Sequence, residues 1–144
     1  MKRHEALVPL SREHHTALIL CQLLKNSVPH YKGLPAGVLD KAGYALNIFN
    51  TVLQPHFMKE EILLSKVKNC SAELDIISGE IVNEHEQLTA AFLALSNKTD
   101  LELALNNLGE ALDKHIRKEE RQLFPLIEQH CSGKLLDEIK DILN

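Results

Sequence analysis

The sequence has no surplus of basic residues. Lys and Arg number 16 against 20 Asp and Glu, for a formal net charge of −4. Such a chain has little with which to neutralise a phosphate backbone, which argues against nucleic-acid binding. No apolar run approaches the ~18 residues that a membrane span requires. The opening stretch, MKRHEALVPLSREHH, places Glu5 and Glu13 where an export signal would be apolar. A cytoplasmic location is the default expectation. Cysteine is scarce and odd in number: Cys21, Cys70 and Cys131 show no zinc-ribbon or redox-motif spacing and read as free thiols. Strand signals are nearly absent. What the chain does have is eight histidines in 144 residues. Its length and its 44% hydrophobic content predict one globular domain, 1–144, with a real core.

Apolar residues recur every three or four positions over long stretches, a helical period. The pattern predicts four long helices and a short fifth. The first runs from about Leu10 to Ser27 and ends in VPHYKGLPAG, with Pro29, Gly33 and Pro35. The second runs from Val38 to Lys68, kinked or interrupted at Pro55. The third follows Ser71, a candidate N-cap, and ends near Asn97. The fourth opens at Thr99, with Glu102 three residues on as a capping box, and reaches Phe124, where Pro125 bends or ends it. After Gly133, KLLDEIKDILN reads as a short amphipathic helix. Short connections make neighbours antiparallel, so the expected fold is an all-α, up-down-up-down four-helix bundle with a short C-terminal fifth helix.

A bundle helix turns a seam of three- and four-residue steps toward its neighbours. The fourth seam reads Leu101, Leu105, Leu108, Leu112, His115, Glu119, Leu123, Leu126, and the second reads Phe49, Leu53, His56, Glu60, Leu63, Val67. The third reads Leu74, Ile77, Ile81, His85, Leu88, Phe92, Leu95, and the first reads Leu7, Leu10, His14, Ala17, Cys21, Leu24. Each seam is apolar except at one level. From His56 to the next turn is about 12 residues, and from there to His85 about 14, so at ~1.5 Å per residue the polar levels coincide within a few ångströms. Four histidines and two glutamates should converge in one layer. Buried carboxylates without a partner are costly, and no Lys or Arg shares the seams there. A bound cation would compensate them. Imidazole with carboxylate and no thiolate favours iron, manganese or zinc. Carboxylates from opposite helices can bridge two metals, with imidazoles at either end.

HxxxE alone is a weak signal. The longer form is repeated, in HFMKEEILL from His56 and HIRKEERQLFP from His115. His14 and His15 compete for the first helix, pointing ~100° apart; His14 shares its face with Ala17, Cys21 and Leu24. Glu61 and Glu120 read as solvated surface, though either could serve as an alternative ligand. Glu84 is placed to accept a hydrogen bond behind a ligand. His4, His30 and His130 fall at termini or connections and read as solvated.

Taken in order, PLSREHH, LQPHFMKEE, NEHEQL and KHIRKEERQLFP resemble the hemerythrin-like, or HHE cation-binding, family. The resemblance spans nearly the whole chain. It implies a non-haem centre of two iron ions, bridged by two carboxylates and an oxo or hydroxo group. It assigns His14, His56, Glu60, His85, His115 and Glu119 as ligands, and it favours His14 because Glu13 precedes it. The function implied is binding of dioxygen or a related small oxidant, in sensing or storage. A redox enzyme acting on peroxide or nitric oxide and an iron-responsive interaction module are the alternatives. The oxygen-carrying animal members have a further histidine where Ile81 stands here. Their fourth-helix carboxylate lies five residues after the histidine, whereas Glu119 lies four after His115.

Overall fold

The computed structural model describes residues 2–25 and 37–144. Ser27, His30 and the expected breakers Pro29, Gly33 and Pro35 lie outside the described residues. Among the described residues there is no strand, and the helices form four long arms and a short final helix. Arm one is α1 (Val8–Leu24), with Pro9 in the first turn, where its missing N–H costs nothing. Arm two is α2 (Val38–Ile48), a π-helical turn (Phe49–Leu53) and α3 (Gln54–Lys66). Arm three is α4 (Ala72–Leu93), closed by a 3-10 turn at Leu95–Asn97. Its N-cap is Ser71, whose hydroxyl accepts the Leu74 N–H at 3.0 Å. Arm four is α5 (Leu101–Lys118), a second π turn (Glu119–Leu123) and α6 (Phe124–His130). The fifth helix is α7 (Gly133–Leu143), capped by Ser132.

Two local expectations need correction. The N-cap of α5 is Asp100 rather than Thr99: the Asp100 carboxylate accepts the Leu103 N–H at 3.1 Å. Of the readings bend or end at Pro125, and kink or interruption at Pro55, the end and the interruption do not occur, because helix continues through both prolines. In each case the helix widens to i→i+5 bonding just before the proline. The last such bonds are Gln54 N–H to Phe49 O and Phe124 N–H to Glu119 O. The proline then falls in the first turn of α3 or α6, where a donor is dispensable. The Glu120 carbonyl, which Pro125 cannot serve, accepts instead from the Arg3 guanidinium at 3.0 Å.

The apolar interior is in two parts. One joins Ala17, Leu20 and Leu24 of α1 with Ala45, Phe49, Leu88, Phe92, Leu105 and Leu112. The other joins Leu7 and Leu10 with Leu63, Leu74, Ile81, Leu123, Phe124, Leu136 and Ile139. Each arm enters from one part and leaves through the other, with the sense alternating from arm to arm; the bundle is therefore up-down-up-down. On every arm the stretch between the two parts holds the histidines. Arms one and four approach closely at Gly109, where an added Cβ would lie 3.1 Å from the Cys21 carbonyl oxygen and from Leu24 Cβ. The N-terminal segment clamps arm four: Arg3 pairs with Glu128 at 2.6 Å, and the His4 N–H donates to Glu128 at 2.7 Å. His4, expected in solvent, is half-buried, and its Nδ1 accepts the Ala6 N–H.

Candidate metal centre

His14, His56, Glu60, His85, His115 and Glu119 are all buried, none more than 3% exposed. They lie in one layer between the two apolar clusters. His15 is exposed, so the two-way choice on α1 places His14 inside. Glu60 and Glu119 face each other across the bundle axis with the imidazoles around them. His56 Nε2 and His85 Nε2 lie 3.1 and 3.2 Å from Glu60 Oε1. His14 Nε2 and His115 Nε2 lie 3.0 and 3.4 Å from Glu119 Oε1. Two ligand-like groups result: His14, His56, Glu60 and Glu119, and Glu60, His85, His115 and Glu119. Within each, one donor atom per residue lies within 4.8 Å of every other. Both carboxylates belong to both groups.

His85 Nε2 and Glu60 Oε1 are hydrogen-bonded at 3.2 Å, but the other atoms of the layer are close without being properly hydrogen-bonded. His14 Nε2, His56 Nε2, His115 Nε2, Glu60 Oε2 and both Glu119 oxygens are buried and lack a hydrogen-bond partner. Each such orphan costs about 1–3 kcal/mol unless something else satisfies it. Lone pairs aimed at common points suit a cation. The donor set, imidazole nitrogen and carboxylate oxygen, suits iron, manganese or zinc.

Without a cation, protons take its place. Burial disfavours the imidazolium of His14, but Glu119, Glu120 and Glu60 outweigh it and push its pKa up to about 11. The same contest raises His56 to about 9 and His85 to about 10. Burial would raise Glu60, yet the charge of His56 and hydrogen bonding in the layer hold it well below the usual carboxylate range. A metal must displace these protons to bind. Aromatic rings wall the layer. Phe57 stacks on His85 with centroids 4.2 Å apart, and Phe124 stacks on His14 at 5.6 Å.

Behind every imidazole stands a second carboxylate. His14 Nδ1 donates to Glu120 (2.7 Å), His56 Nδ1 to Glu13 (3.1 Å), His85 Nδ1 to Glu61 (2.9 Å) and His115 Nδ1 to Glu84 (2.7 Å). Glu84 meets its expectation. Glu61 and Glu120 are not merely solvated surface: each turns back onto a buried ring, and Glu120 also accepts from Ser11 at 2.8 Å. Sequence reasoning missed Glu13, Glu61 and Glu120 in this capacity. The available signal was adjacency, since each directly neighbours a seam residue of the layer.

The sequence profile of the hemerythrin HHE cation binding domain matches residues 6–127 and, in a second match, 76–142. The chain belongs to the hemerythrin HHE family. The family is described as cation-binding, and the described residues carry two buried His/Glu groups that could hold a metal. No curated protein matches the chain significantly, and neither does any solved structure. Among the described residues, no helix is long and apolar enough to cross a membrane.

Proposed function

We propose that this hemerythrin-like domain is a non-haem di-iron protein that binds dioxygen or a related small oxidant, in oxygen, iron or redox sensing or storage. The observation that supports a metal pair is the sharing of Glu60 and Glu119 by both buried groups. Two imidazoles then serve each metal: His14 and His56 on one side, His85 and His115 on the other. When bound, the iron pair supplies redox chemistry and open coordination positions for a small ligand. The chain holds the imidazoles with Nε2 inward and packs Phe57 and Phe124 against two of them. The three free cysteines fit a reducing cytoplasm. Protein purified aerobically from its native host should be yellow to red and hold about two irons per chain. Colourless, iron-free protein of equal stability would overturn the reading.

Redox turnover of peroxide or nitric oxide is the second reading. It is favoured by Ile81, fully buried one turn before His85 on the same face of α4. That position adds bulk rather than a further nitrogen ligand. Rapid mixing with peroxide separates the readings: repeated turnover supports catalysis, and a single stoichiometric oxidation supports binding.

A further inference from the structure

The sequence HxxKEE occurs twice, as His56–Glu61 and His115–Glu120, and Glu-His occurs before it in each half of the chain, at Glu13-His14 and Glu84-His85. The structure gives equivalent positions equivalent contacts. Glu13 accepts from His56 Nδ1 and from Lys59 Nζ at 3.4 Å. Its counterpart Glu84 accepts from His115 Nδ1 and from Lys118 Nζ at 2.8 Å. Both contacts stay within one half. The last residue of each hexad crosses over: Glu61 takes His85 of the second half, and Glu120 takes His14 of the first. The four pairs close a ring around the bundle, from α1 to α3, α3 to α4, α4 to α5, and from the second π turn back to α1.

Building on the di-iron reading above, we propose that Glu13, Glu61, Glu84 and Glu120 are positioning residues, a cyclic brace in which each half of the chain orients one histidine of the other half's metal. A ring nitrogen that donates outward to a carboxylate leaves Nε2 free to face the metal and raises its basicity. Each hexad then has four assigned positions. Its histidine serves one metal, its lysine holds the brace of that histidine, its first glutamate is shared by both metals, and its second glutamate braces a histidine of the other metal. The two cross-braces differ in their surroundings. Glu120 is also held by Arg3 at 3.3 Å, whereas Glu61 pairs with His85 and has no lysine or arginine partner among the described residues. Glu61 is also the more open of the two, 46% exposed against 29%.

The test uses the full chain with Glu120→Ala, Glu61→Ala and the matching Gln variants. In metal-free protein, proton–nitrogen NMR should show slowly exchanging Nδ1–H signals for all four layer histidines. Glu120→Ala should abolish the signal of His14 alone, and Glu61→Ala that of His85 alone. The Gln variants should restore each signal, since the amide oxygen still accepts. Anaerobic calorimetric titration with ferrous iron should then show one of two binding steps weakened about 10–100-fold in each Ala variant. The double variant should weaken both. Unchanged Nδ1–H signals, or loss of all four from a single substitution, would refute the brace. One ferrous ion per wild-type chain would refute the di-iron reading instead, and the NMR arm would still judge the brace.

Discussion

A carboxylate at 0% exposure is tolerable only where something positive faces it, and Glu60 and Glu119 face imidazoles on every side. Neither has a substitute within the layer. Glu60→Ala and Glu119→Ala should each abolish loading of a metal pair, read as metal per chain by elemental analysis; two metals retained would contradict their shared role. The metal-free protein has its own signature in pH. His14, His56 and His85 have folded values of about 11, 9 and 10 against an ordinary 6.5. Their contribution is fully present below about pH 6.5 and is lost as pH rises through 9 to 11. Glu84 is held down to about 2 by His115 and Lys118 against the cost of burial, and Glu13 is lowered by His56. Their contribution is present above about 4.5 and is lost as pH falls toward 2. Urea midpoints of chelated protein should therefore peak between about pH 4.5 and 6.5 and fall on both sides. At this scale much of the layer was legible. The seams single out the six residues that the structure brings together, and the company of Ala17, Cys21 and Leu24 separates His14 from His15. The outer carboxylates were not legible, because they are part-exposed and reach rings as many as 106 positions away in sequence.

Helices here are set by a few short devices. At Gly109 α5 rides close on α1, and a methyl group there meets a backbone carbonyl rather than a pliable side-chain end. Gly109→Ala would gain about 1 kcal/mol of helix propensity. Overpacking at such a contact costs about 1–3 kcal/mol, so the net effect should be a lower melting temperature. Gly79 is the internal comparison: it is exposed in mid-α4, and a methyl group added there would meet nothing within 4 Å. Gly79→Ala should raise the melting temperature, by up to about 1 kcal/mol of stability. If both shifts have the same sign, the close approach at Gly109 is not limiting. Element existence can be read from periodicity, but the π turns cannot. One extra residue in a turn leaves the apolar spacing nearly unchanged, so the prolines read as bends or breaks. The cap of α5 lies one residue beyond its expected place because Thr99 and Asp100 are both capable caps, and only geometry chooses.

At the scale of the whole molecule, the bundle topology follows from four apolar seams and short turns. The division of its interior into two clusters follows from where the seams are interrupted. Folding brings six ionisable groups into that interruption, so a ligand that binds only the folded layer must stabilise the whole. Metal at 1,000 times its dissociation constant should add about 4 kcal/mol, and a chelator should remove it. Calorimetric melting with and without metal checks this; identical transitions would show that the layer carries no cation. The N-terminal clamp extends the same logic outward, because Arg3 completes both the Glu120 carbonyl and the Glu120 carboxylate behind His14.

The two-part interior also governs how the protein comes apart. A polar slab across the long axis interrupts the cohesion that would otherwise run from one end to the other. With its charge neutralised by bound metal, the slab acts as a rivet and both ends should open together. Stripped of it, the ends become separate cooperative units. Amide exchange should then sort Leu20, Phe92 and Leu105 into one rate class and Leu74, Leu123 and Ile127 into another.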